Sequence, residues 1–336
     1  MNTYNIDNLE DLKTRAKEGN CKIIITKDID CTDGIIDILS NSYDNINSYV
    51  SEVTSSEYTS YKTLKKDFIK KCTVDTAESN STYVLKALNL LRKNFRNKIL
   101  INVGSDVEIT SNDTNKIYGA FFLLENSTNV KITNIYFYNT IDPFPLHGKN
   151  NGYNSNYDPI QIRKNSKNIV IDKCRFTNTS IIETVSTSDT DSELFKISDG
   201  VVDMSGNFQN IVISNCKIYG FDKVSTCGSS DSEEIDCTRN IYYINNTFTN
   251  CSSRIPMIRK ANATMIGNSF VNCASCVQPR YLANIASINN SFEKCDNAYT
   301  GTSSTKDSSK VFDMLNTYIN TTNNVKNFTL VDELPF

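Results

Sequence analysis

A unit of about 22 residues recurs through the second half of this chain, and no other feature restricts its fold so strongly. Six segments share one pattern: a leading Asn, a run of alternating apolar residues, a second Asn or polar turn, an aromatic or apolar residue, and a polar stop. They read NVKITNIYFYN from Asn129, NIVIDKCRFTN from Asn168, NIVISNCKIYG from Asn210, NIYYINNTFTN from Asn240, NATMIGNSFVN from Asn262 and NIASINNSFEK from Asn284. The leading Asn residues are 39, 42, 30, 22 and 22 apart, so the earlier units carry insertions. Self-similarity of this kind signals a solenoid whose repeats contact only their neighbours. Three short strands and three turns fit such a coil. Parallel strands of successive coils then stack about 4.8 Å apart, and equivalent residues form ladders. The expected fold is an all-β parallel β-helix.

The cysteines follow the same register. Cys174 and Cys216 lie six residues after their leading Asn, and Cys251, Cys273 and Cys295 lie eleven after theirs. Stacking brings neighbours within disulfide reach, yet a ladder of three forms only one bridge, and reduced buried cysteines are the alternative. Cys174 with Cys216, and Cys227 with Cys237, are candidate pairs that the sequence leaves open. Eleven cysteines favour an oxidising compartment, and the odd count leaves a thiol over. Sequons at Asn80, Asn126, Asn178, Asn245 and Asn262 agree with a secreted, extracellular protein. The start, MNTYNIDNLEDL, has no apolar leader core, so an exported form has lost its leader before this sequence begins. No stretch approaches the roughly 20 apolar residues of a membrane span.

Outside the repeats, residues 7–18 pattern as an amphipathic helix, with Asp7 and Glu10 as a capping-box pair and Gly19 as the stop. Such a helix covers the open end of a solenoid, where unpaired strand edges invite aggregation. YKTLKKDFIKKC and YVLKALNLLRKNF make residues 57–97 a helical insertion, coils occupy 99–298, and 299–336 is a tail around the last coil. The whole of 1–336 then forms one domain. The net charge of -3 argues against a general nucleic-acid binder, but a basic groove can still take a polyanionic sugar. The single histidine, His147, excludes chemistry that needs two from one chain, and its Pro- and Gly-rich setting marks an exposed turn. Gly-rich phosphate loops are absent, and Cys273 and Cys276 lack the second pair a zinc site needs.

Four charged residues keep similar offsets from the leading Asn of their coil. Asp158 stands ten before Asn168, Asp199 and Asp203 stand eleven and seven before Asn210, and Arg254 stands eight before Asn262. Neighbouring coils therefore present three carboxylates and a guanidinium along one strip, and Asp199 and Asp203, four apart in a strand, share a face. Packed carboxylates repel unless a cation lies between them, and a hard divalent ion such as calcium suits several oxygen ligands. A solvated acidic face is the alternative.

At these residues the chain resembles polysaccharide lyase family 1, the pectate and pectin lyases. ISDGVVDM is similar to the family's acidic-x-x-x-Asp calcium strand, GFDKVSTCGSSDS to its Lys turn, and SSRIPMIRK to its Arg-x-Pro-x-x-Arg segment. A family-like strand and turn, ATMIGNSFVN, follows, and a weaker likeness runs from INVGSDVEI to about residue 295. The resemblance implies a right-handed β-helix that binds Ca2+ and cleaves pectate by β-elimination to 4,5-unsaturated oligogalacturonates. It implies that Asp158, Asp199 and Asp203 hold calcium, that Lys223 and Arg259 grip substrate carboxylates, and that Arg254 removes the sugar C5 proton. Asn156 stands where many members have a further Asp ligand, Asp199 where Glu is frequent, and Lys173 in VIDKC where a His is usual. A guanidinium has a pKa above about 12, so a base role requires nearby positive charge to depress it. Pectin lyase is the nearest rival, acting on methyl-esterified polymer without calcium through an aromatic groove, but this chain has no Trp. A non-catalytic carbohydrate-binding β-helix is the rival from another class. The hydrolases that share the fold use paired Asp residues and a Gly-His-Gly turn, and neither is present. The expected molecule is a monomer whose partner is polygalacturonate, with no nucleic acid and no membrane.

Overall fold

The computed structural model describes residues 1–35, 44–72, 83–148, 152–179, 182–186, 192–301, 308–322 and 328–336. Of the residues singled out above, Asn80 and the Cys72 side chain lie outside that description. Three long sheets run parallel to the coil axis, with eleven, nine and eight strands. The chain is a right-handed parallel β-helix. Each repeat supplies one strand to each sheet. In the eleven-stranded sheet Asn240 pairs with Asn262 and Asn262 with Asn284, so the 22-residue interval is one turn of the solenoid.

Alternation of apolar and polar residues explains why these segments become strands. In Asn240–Ile244, Asn262–Ile266 and Asn284–Ile288 the second and fourth residues point inward and are buried. Inside, the equivalent rings of Phe248, Phe270, Phe292 and Tyr318 stack with centroids 4.9, 4.6 and 5.4 Å apart, each pair adding to the apolar burial. Outside, the leading asparagines form a ladder: the Asn284 amide donates to Asn262 at 3.1 Å, and Asn210 donates to Asn168 at 3.2 Å. A second, inner ladder satisfies the turn backbone. Asn246 Oδ1 accepts from the Cys216 N–H, Asn268 Oδ1 from the Asn246 N–H, and Asn290 Oδ1 from the Asn268 N–H, at 2.9, 3.0 and 2.8 Å. Buried amides need such partners.

The solenoid extends beyond the coil region expected from the repeats. Strand Asn2–Ile6 pairs with Cys21–Ile25 in the eleven-stranded sheet, and Lys310–Met314, Thr317–Ile319 and Thr329–Val331 continue two of the sheets past residue 299. Helix α1, Leu9–Glu18, is capped by Asn8, whose side chain accepts from the Asp11 N–H. Asp7 is not the cap, because the preceding strand runs to Ile6 and the chain turns one residue later. Gly19 ends the helix at φ 76°, where an added Cβ would meet Ser105 O at 2.6 Å. Among the described residues three helices follow: α2 (Asp44–Val53), α3 (Tyr61–Cys72) and α4 (Tyr83–Ile99); α2 carries no pattern noted in the sequence. Tyr49, Tyr61 and Phe95 enclose Phe144 at 5.8 to 6.2 Å. That aromatic cluster packs α2, α3 and α4 against Phe144.

Candidate active site

The eight-stranded sheet gathers the charged residues on consecutive rungs. Asp158 lies just before strand Ile160–Arg163, Asp199 just before Val202–Met204, and Asp203 within that strand opposite Gln161. Lys223 precedes Thr226–Cys227 and bridges to Ser253, so Arg254 follows on the next rung. Arg259 leaves the far end of Met257–Ile258. The sheet thus places all six side chains along one strip.

Asp158 is buried; its Oδ1 accepts from the Gly200 N–H at 2.6 Å and its Oδ2 from Gln161 Nε2 at 2.8 Å. Asp203 Oδ1 accepts from the Thr226 N–H at 2.8 Å. Gly200 lies between these two carboxylates: an added Cβ would sit 2.8 Å from Asp158 Oδ1 and 3.2 Å from Asp203 Oδ1. Asp199 Oδ1 receives the Lys223 ammonium at 2.6 Å, and that ammonium also donates to Asn154 Oδ1 at 2.8 Å. Burial first, and then the charges of Asp203 and Asp199, push Asp158 well above the carboxylate range. Asp203 is pushed up to about 7 by its enclosure and by Asp199, with the Thr226 N–H, Arg254 and Lys223 pulling the other way.

Three mutually repelling carboxylates with hard oxygen donors are a chemical fit for a divalent cation. The cage is not preformed. Among the described residues no three His, Cys, Asp or Glu groups surround one metal position, and Lys223 holds an oxygen of Asp199. Asn156 is exposed, and its backbone carbonyl accepts from Gln161 Nε2 at 3.0 Å. The amide oxygen that the structure brings to Lys223 is that of Asn154, a residue the sequence reading passed over.

Arg254 is half-buried in a left-handed turn at φ 54°, before the cis Ile255–Pro256 bond. Its Nη1 donates to Thr226 Oγ1 at 3.3 Å. Among the described residues no carboxylate lies within ion-pair distance of it. Arg259 is buried and engaged: Nε donates to Asp231 Oδ1 at 2.8 Å and Nη1 to Gly228 O at 2.7 Å. Burial and the nearby Arg280 lower its pKa. Asp231 also takes Arg280 Nε at 3.1 Å; although burial opposes its ionisation, the two guanidiniums hold its pKa below the usual range. Arg280 is the rung equivalent of Arg259, because Ile258 pairs with Pro279. His147 is not an exposed turn residue: it lies in strand Leu146–Gly148, packs on Tyr153 and meets Glu193 Oε2 at 2.8 Å.

A family model described as pectate lyase matches residues 58–332. The chain belongs to the pectate lyase family. Solved pectate lyases share its fold at low identity. The pectate lyase of Acidovorax avenae subsp citrulli is 17% identical with a TM-score of 0.76, covering 96% of this chain and 81% of that one. A mutant Bacillus subtilis pectate lyase is 20% identical with a TM-score of 0.69, covering 96% and 82%. A pectate lyase bound to a hexasaccharide is 19% identical with a TM-score of 0.70, again covering 96% and 82%. No curated sequence matches. Family membership makes this protein an enzyme of the pectate lyase type.

Proposed function

We propose that this protein is a secreted, calcium-dependent lyase that cleaves de-esterified α-1,4-polygalacturonate by β-elimination, with Arg254 as the base. The supporting observation is the setting of Arg254: a half-buried guanidinium with no carboxylate within ion-pair distance among the described residues, on the same strip as Asp203, Lys223 and Arg259. Extracellular action suits a polymeric substrate.

Removal of the C5 proton builds negative charge on the adjacent carboxylate, so donors aimed at that carboxylate lower the barrier. Lys223 and Arg259 supply charge-assisted contacts and hold the uronate in register. Lys223 exchanges Asp199 for the substrate carboxylate, which frees Asp199 when the sugar arrives. Asp158, Asp199 and Asp203 would hold calcium, which as a Lewis acid stabilises developing negative charge on the uronate. Arg254 would accept the proton from C5 as general base.

The test is unsaturated-product absorbance on polygalacturonate and on methyl-esterified pectin, each with calcium and with EDTA. The expected result is turnover of polygalacturonate that EDTA abolishes and calcium restores. Turnover of methyl-esterified pectin unaffected by EDTA would make it a pectin lyase, and absence of product from either polymer would leave a binding module.

A further inference from the structure

We propose that Cys251, Cys273, Cys276 and Cys295 form two inter-coil disulfides, Cys251–Cys273 and Cys276–Cys295, when the chain folds in the presence of a small-molecule disulfide. The inference is independent of the lyase reading and concerns a cluster outside the charged strip.

Three of the four are a ladder. Thr249 pairs with Val271 and Val271 with Glu293, which puts Cys251, Cys273 and Cys295 in line two residues further on. The Ala274 N–H donates to Cys251 O and the Asp296 N–H to Cys273 O, each at 3.0 Å, so the rungs stay paired through the turn. Neighbouring rungs stand about 4.8 Å apart, within the roughly 4.4–6.8 Å between Cα atoms that a disulfide spans. A ladder of three would leave one thiol over. Cys276, in strand Ser275–Pro279, makes the set even.

The ladder sets Cys251 one rung from Cys273 and two rungs from Cys295, and the Cys276 thiol neighbours those of Cys273 and Cys295. Pairing Cys251 with Cys273 leaves Cys276 for Cys295. Cys251 and Cys295, two rungs apart at about 9–10 Å, are beyond reach. All four side chains are buried, so bridges formed during folding are shielded from later exchange.

Each bridge forms by two exchanges. One thiolate attacks the small disulfide, giving a mixed disulfide and one small thiol; the second protein thiolate then displaces the other small thiol. Per bridge, one small disulfide is reduced to two thiols and two cysteines are oxidised. The first bridge ties the rung that turns into Arg254 to the next coil, and the second ties that coil to the one beyond. Coils near the end of a solenoid otherwise have few neighbours to hold them.

The experiment is refolding of the reduced, denatured full chain in a glutathione redox buffer, followed by alkylation and non-reducing peptide mapping. The expected map contains Cys251–Cys273 and Cys276–Cys295, and the oxidised protein melts at a higher temperature than the same protein reduced. Cys251→Ser should retain Cys276–Cys295 and expose Cys273 to alkylation in denaturant. Alkylation of all four without prior reduction would overturn the proposal. So would a dominant Cys273–Cys276 or Cys273–Cys295 bridge, or bridged protein that melts no higher than reduced.

Discussion

At the scale of single residues, Gly200 leaves room for the carboxylates of Asp158 and Asp203 to approach one another. A Cβ there would press on Asp158 Oδ1, Asp203 Oδ1 and Val224 O at 2.8 to 3.2 Å. Gly200→Ala should therefore cost about 1–3 kcal/mol of stability and weaken calcium binding; urea unfolding and calorimetric titration check the two effects separately. That Asp158, Asp199, Asp203 and Arg254 share one strip was legible because each is charged and keeps a similar offset from the leading Asn of its coil, whereas Lys223 and Arg259 were marked only by the family-like motifs. Asn154 was not legible, because it is uncharged, stands well ahead of the repeat that begins at Asn168, and its partner Lys223 lies 69 residues away. Asp231 sat inside a quoted motif, yet its pairing with both Arg259 and Arg280 depends on rung register across two coils, which spacing alone does not reveal.

At the scale of elements, the inner asparagine ladder carries more of the fold than its polar composition suggests. Asn268 accepts from the Asn246 N–H and donates to Tyr243 O at 2.8 Å and to Asn290 Oδ1 at 2.9 Å. Asn268→Ala strands buried groups on two neighbouring coils and should cost at least about 1–3 kcal/mol, measured by denaturant unfolding. Helix α1 offers a finer test, since Asn8 and not Asp7 supplies the cap. Asn8→Ala should lose about 1 kcal/mol, whereas Asp7→Ala, which removes an exposed ion pair with Lys27, should lose less. The repeats declared their strands through alternation and the leading Asn. The first rung, Asn2–Ile6, has only Tyr4 and Ile6 as apolar residues, and the rungs after residue 299 stand among Ser, Thr and Asn, which favour turns when read locally. Stacking on a finished coil overrides that local preference.

For the whole molecule, the acidic strip couples stability to pH, and the proposed calcium site predicts a coupling to metal as well. Asp203 has a pKa of about 7 in the folded protein against an ordinary 3.8, so the folded state keeps a proton that the unfolded chain has lost. The stability this contributes is complete below about pH 4 and lost as pH rises through about 7, and Asp158 acts in the same direction. Metal-free protein should melt lower at pH 8 than at pH 5, and calcium should raise the melting temperature more at pH 8. Scanning calorimetry with EDTA and with calcium measures both. Among the described residues no helix is long and apolar enough to cross a membrane. The central claim is that the coil stack delivers Arg254 to a uronate held by Lys223 and Arg259. The direct measurement is the rate of unsaturated-product formation by Arg254→Ala beside its affinity for oligogalacturonate. A general base contributes about 10²–10⁴-fold, so the account predicts a loss of that order with binding largely kept; a variant as fast as the parent would contradict it.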